Sequence, residues 1–92
     1  MNKEKELIVV EVFVDKLEEG EAIVNTIVKV AEKLRELTVK TIIKDIFDDE
    51  VISRYGILVS PSIAVNGVLM AVGYRPSEGD FKDMLLRATM RI

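Results

Sequence analysis

Hydrophobic residues fall along this chain in two rhythms, and the points where one gives way to the other mark the elements. Leu7 to Val14 (LIVVEVFV) is an almost unbroken apolar, β-branched run. It is too short for a helix of its own and predicts a strand buried on both faces. Its one charge, Glu11, has three readings: it points to a sheet end, pairs with a lysine, or serves as a catalytic carboxylate. Asp15 to Glu19 is polar and reads as a connection. From about Gly20, apolar residues recur at helical spacing: Ala22, Ile23, Thr26, Ile27, Val30, Ala31, Leu34 and Leu37. This predicts a helix of about four to five turns, with Lys29, Glu32, Lys33, Arg35 and Glu36 on its polar side. Val24 and Val28 widen the apolar stripe enough to touch a partner.

Val39 to Ile46 interleaves apolar and polar residues, which predicts a second strand nearer a sheet edge. Asp48 or Asp49 can cap a short helix through Val51, Ile52 and Tyr55, and Gly56 supplies the left-handed residue that stops it. Ser62 to Val65 predicts a third strand and Val68 to Val72 a fourth, closed by Gly73. Between them Asn66-Gly67 suits a type I′ turn, whose two central residues need positive φ. Ser77 and Asp80 have capping-box spacing ahead of a last helix with Phe81, Met84, Leu85 and Ala88 on its apolar face. The order is βαβαββα. A right-handed parallel unit followed by an antiparallel hairpin predicts an α/β fold, a four-stranded mixed sheet flanked by helices, in a single domain over 1–92.

Composition narrows what such a domain does. The chain has 92 residues, enough for one core, and its hydrophobic share of 49% is that of a globular protein. Lysines and arginines are interspersed with acids and the net charge is -3, so no basic stripe points to nucleic acid. No apolar stretch approaches the roughly 20 residues of a membrane helix. The charged start, Met1 to Glu6, has no signal-peptide pattern, which makes the cytoplasm the expected location. Cysteine and histidine are both absent. That removes the usual zinc ligands, the thiol nucleophile and the imidazole base. Asp48-Asp49-Glu50 lacks the spacing and glycine of a calcium loop and reads as an acidic helix start. No metal or cofactor is expected. Asp15 and Glu18 are the one acid/base pair an enzyme of another class could use.

The stretch Tyr55-Gly-Ile-x-x-x-Pro-Ser-Ile-x-x-Asn-Gly67, set in that element order, resembles the thioredoxin fold. It is most similar to small glutaredoxin-like or thioredoxin-like proteins of archaea and bacteria, from Leu7 to about Ala88. The resemblance implies a cis Ser60-Pro61 bond, against the alternative of a trans proline opening an edge strand. It also implies that Ser60 offers its backbone N–H and C=O to an extended peptide or to glutathione. The family's Cys-x-x-Cys lies between the first strand and the first helix. Counting back from the helix end places it near Gly20-Glu-Ala-Ile23, where there is no thiol. The nearest hydroxyl, Thr26, is a turn further on. Disulfide exchange needs a thiolate, so this chain cannot perform it. Asp15, Glu18, Glu19 and Glu21 crowd the helix start and would repel glutathione or phosphate. The KaiB clock proteins, a cysteine-free family of related fold, look similar over the first strand, helix and second strand, and the sequence departs from them afterwards.

The resulting expectation is a non-catalytic module that binds a protein or peptide by strand addition or loop docking. The binding residues would be Val59, Ser60, Pro61, Gly73 and Tyr74. Tyr74 is either an exposed aromatic anchor or a ring packed over the last helix. The alternatives are a KaiB-like regulatory binding protein and a structural protein or homodimer, the latter built on Val24, Val28 and the Met70, Met84 and Met90 set.

Overall fold

The computed structural model describes residues 6–89. The elements are β1 (Glu6–Val14), α1 (Leu17–Glu32), β2 (Leu37–Asp45), α2 (Asp49–Tyr55), β3 (Ser62–Val65), β4 (Val68–Val72) and α3 (Glu78–Thr89). The sheet order is β2-β1-β3-β4. β1 and β2 are parallel, while β3 is antiparallel to both β1 and β4. This is the expected mixed sheet in the expected βαβαββα order, with β2 at an edge. The hairpin and α3 also give it the thioredoxin-like ending at which the sequence departs from the KaiB pattern.

β1 lies inside the sheet, and strand periodicity sends its side chains alternately to two cores. Ile8, Val10, Val12 and Val14 meet Ile23, Ile27 and Val30 of α1 and Phe81, Met84 and Leu85 of α3. On the opposite face Phe13 joins a smaller cluster of Ile46, Val51, Leu58 and Ala64 under α2. Met84 is buried and Met70 is half-buried against the larger core. Both pack against the core, the gap-filling use of methionine. Met90 lies outside the described residues.

Three boundaries differ from the sequence reading. α1 starts at Leu17, not Gly20, so Asp15 to Glu19 is mostly helix. Lys16 occupies the cap position without a side-chain hydrogen bond, and Glu18 and Glu19 sit in the first turn, where they favour the helix dipole. That turn faces solvent and carries no buried residue before Gly20, which is why apolar spacing did not register it. The helix also ends at Glu32. Leu34 and Leu37 stay in phase with the helical stripe because both pack on the same core, Leu34 from a turn and Leu37 as the first residue of β2. For the same reason β2 begins two residues before Val39.

Local signals elsewhere act as anticipated. Asn66 and Gly67 have φ of 50 and 82. Asn66 also ties the hairpin to β1: its Oδ1 accepts from the Val9 N–H at 2.8 Å and its own N–H donates to the Val9 carbonyl at 2.8 Å. The Asp48 side chain caps α2 by accepting from the Glu50 N–H at 2.8 Å. Gly56 ends that helix with φ 83 but an extended ψ of -166, so its positive φ was foreseen and its full conformation was not. Ser77 and Asp80 exchange hydrogen bonds of 3.1 Å in a complete capping box. β3 and β4 shift register between Ile63 and Ala64, leaving Met70 unpaired in a bulge.

At Gly20 α1 lies close against the sheet. A Cβ there would stand 2.8 Å from Ile43 Cγ2 and 3.1 Å from Val14 Cγ2. Gly20→Val is therefore expected to destabilise the domain by about 1–3 kcal/mol through overpacking. Gly20→Ala should cost less, because alanine regains about 1 kcal/mol of helix propensity. Urea unfolding midpoints of the two variants check the ranking.

Candidate functional site

The strand directions bring four connections to one end of the sheet. β1 and β2 finish there, β3 starts there and β4 returns there. The Ile46 N–H donates to the Val14 carbonyl at 3.0 Å, continuing the β1–β2 pairing past Asp45. The Asp15 N–H donates to Ser60 Oγ at 3.1 Å, and the Ser60 hydroxyl donates to Glu19 Oε1 at 3.2 Å. The loop before β3 therefore sits directly against the start of α1. The Ser60–Pro61 peptide bond is cis. The Pro61 carbonyl accepts from the Gly73 N–H at 2.8 Å, and Ser62 Oγ donates to the Val59 carbonyl at 2.6 Å.

The five residues singled out from sequence meet in this loop and its neighbour, with unequal exposure. Val59 is 60% exposed and Tyr74 50%. Ser60 is half-buried, Gly73 exposed and Pro61 buried, so the proline ring is covered while its neighbours are open. Gly73 has φ 81, and a Cβ built on it would lie 3.5 Å from Val59 Cγ1, which puts the two loops in contact. Tyr74 borders a shallow groove with Met70, Met84 and Arg87, so it is both near α3 and half open to solvent. Among the described residues, the Ser60 backbone N–H and C=O have no hydrogen-bond partner.

The residues facing Ser60 require one correction. Gly20 and Ile23 lie inside α1 and are buried, so they are not the helix start. The connection between β1 and α1 is Asp15-Lys16, and the side chains and backbone that meet the loop belong to Asp15 and Glu19. The early start of α1 accounts for the displaced count. Asp15 and Glu18 are exposed, and neither carboxylate has a hydrogen bond that would orient it for acid/base work.

Two exposed apolar residues at this end were missed by the sequence reading. Leu17, at the first position of α1, is 59% exposed, and Phe47, just past β2, is 69% exposed. The available signal was an isolated large apolar side chain inside an acidic connection, Leu17 before Glu18-Glu19 and Phe47 before Asp48-Asp49.

A second polar cluster supports the site from behind. Glu11 is only 7% exposed. It accepts from Lys44 Nζ at 2.8 Å and from the Tyr55 hydroxyl at 2.5 Å. Of the three readings of Glu11, the lysine pairing is the one present, in the interior of β1 rather than at a sheet end. Burial by itself would raise the Glu11 carboxyl. The hydrogen bonds from Lys44 and Tyr55, with the charges of Lys44 and Arg54, outweigh it and hold the carboxyl below its ordinary range. Tyr55 is pushed up, first by burial and then by its bond to the Glu11 carboxylate and that negative charge. Its ring also packs on Phe13, with centroids 5.0 Å apart. Tyr55 ends α2, five residues before Ser60, so this cluster anchors the segment that leads into the loop.

Among the described residues, no group of three or more acidic side chains is placed to hold a metal ion, and no helix is long and apolar enough to cross a membrane. The fold and the loop thus define a thioredoxin-like domain without thiols. The sequence model of the family described as Thioredoxin domain matches residues 10–86, and the chain belongs to that family. No curated protein and no solved structure matches the chain.

The Glu11 cluster gives a pH dependence of definite sign. The folded-state pKa of Glu11 is lowered, so its contribution is complete above the ordinary glutamate value of 4.5 and is lost as pH falls through the folded value. Tyr55 is raised, so its contribution is complete below 10.0 and is lost as pH rises through its folded value. Glu11→Gln should flatten the acid limb of a stability–pH profile. Tyr55→Phe should flatten the alkaline limb and cost about 1–2 kcal/mol near neutral pH. Chemical denaturation across pH checks both.

Proposed function

We propose that this protein is a non-catalytic, cysteine-free thioredoxin domain that binds a segment of a protein or peptide beside the Ser60–Pro61 loop. The observation that carries the reading is the unpaired N–H and C=O of Ser60, set between the exposed side chains of Val59 and Tyr74. Backbone groups of that kind accept an extended chain by strand-like hydrogen bonding, and adjacent apolar side chains select what it carries. Gly73 lets the two loops approach closely, and Pro61 lies beneath them. The lack of any cysteine, and of any oriented acid/base pair at the α1 start, supports binding without chemistry.

Panning a library of displayed peptides against the protein, followed by mapping of amide chemical shifts, tests this reading. Enriched peptides are expected to shift Val59, Ser60, Gly73 and Tyr74. Tyr74→Ala should weaken them by about tenfold, the range of a modest hot spot, with the unfolding midpoint unchanged. Shifts confined to another surface, or no enrichment, would overturn it. A variant that unfolds would show Tyr74 to be a packing residue instead.

A homodimer is the second reading, favoured by the exposed Val28 in a shallow groove with Ile27, Ala31 and Val39. Sedimentation as a monomer at high micromolar concentration would rule it out.

A further inference from the structure

We infer that the segment taken up beside Ser60 is cationic as well as apolar: an extended stretch of a partner polypeptide in which lysine or arginine alternates with apolar residues. This rests on the docking reading above and adds the chemistry of the partner. Two separate observations lead to it. The first is an apolar rim. Leu17 from the start of α1, and Phe47, Val59 and Tyr74 from three connections, are each at least half exposed and stand at the same end of the sheet. Four large exposed apolar side chains gathered at one end from distant parts of the chain give a partner several apolar points of contact there.

The second observation is the charge around that rim. The same connections and the element ends beside them carry Asp15, Glu18, Glu19, Asp45, Asp48 and Asp49, all exposed except the half-buried Glu19. None of the six is in an ion pair, and Lys44, next to Asp45 in the chain, is spent on Glu11. Glu19, Asp45 and Asp48 accept hydrogen bonds only from neutral groups, the Ser60 hydroxyl and the N–H groups of Phe47 and Glu50. The cations in these connections are Lys16 and Arg75. Arg75 is turned onto the flank of α1, where its Nη2 is 3.4 Å from the Ala22 carbonyl and 3.5 Å from Thr26 Oγ1. The rim therefore sits in a largely uncompensated negative field. Such a field repels anionic ligands and speeds and selects cationic partners, and an apolar surface beneath it strengthens the effect by lowering the local dielectric. Alternation follows from the extended geometry: side chains of a strand-like segment point in turn toward the rim and toward the carboxylates.

Three matched octapeptides test this, sharing apolar residues at alternate positions and carrying lysine, glutamine or glutamate at the others. Each is titrated into the full chain while the amides of Val59, Ser60, Gly73 and Tyr74 are followed. At low salt the lysine peptide is expected to bind about tenfold more tightly than the glutamine peptide, with no measurable binding of the glutamate peptide. The preference should vanish in about 1 M NaCl, where the Debye length falls to about 3 Å. It should shrink by about half on a logarithmic scale in an Asp15→Asn, Glu18→Gln double variant, whose altered side chains make no hydrogen bond in the fold. Equal binding of the three peptides at these amides would overturn the charge preference and leave the docking reading standing. A lysine preference that maps to another surface would also overturn it. If no peptide moves these amides, both readings fall together.

Discussion

Burial of β1 on both faces is the constraint on which the rest of the molecule depends. From Val10 to Val14 the strand buries its side chains on both sides, so it requires a strand on each flank and a layer on each face. β2 and β3 supply the flanks. α1 and α3 cover Ile8, Val10 and Val12, which are fully buried. The short α2 covers the other face near Phe13. The parallel pairing with β2 forces a crossover helix, and the antiparallel pairing with β3 brings the loop before it back to the end at which β1 stops. The meeting of that loop with the start of α1 follows from these pairings.

The smaller core is where packing and site are joined. It includes a buried carboxylate that apolar burial alone would not tolerate, and three cationic or hydroxyl groups from two other elements make it acceptable. Lys44 comes from β2, while Arg54 and Tyr55 come from α2. The helix thus has a polar attachment in addition to the burial of Val51. Tyr55 is followed within a few residues by Leu58, which returns to the same core, and then by exposed Val59 and half-buried Ser60. The loop is held from both sides, by Leu58 before it and Ser62 after it, with its tip left open.

Much of this was legible because the determinants are local. Apolar patterning identified β1, α1 and β2, a cap and Gly56 marked α2, Asn66-Gly67 specified its turn, and Ser77 with Asp80 specified a cap, since each depends on residues a few positions apart. The errors came from residues whose partners are distant. The first turn of α1 buries nothing before Gly20, so it carries no apolar signal. Leu34 and Leu37 kept the helical phase because one core receives both a helix and the strand that follows it. The partner of Glu11 could be named as a lysine, but which lysine depends on the β1–β2 register. The loop at Ser60 was readable through the resemblance of its stretch to a family pattern, whereas Leu17 and Phe47 join its surroundings only through the sheet.

The bulge at Met70 bears on how this domain would meet copies of itself. A domain that displays an apolar rim and two sheet edges is at risk of growing by edge-to-edge pairing. On β4 the unpaired residue breaks the ladder spacing that an incoming strand would have to match. On β2 the regular edge carries exposed Thr38 and Lys40, and a lysine brought beside its own copy is repelled. Both edges thus disfavour continuous cross-strand growth. A chain docked at the rim, as proposed above, would meet the end of the sheet rather than either edge, so docking there would not require a template for self-pairing.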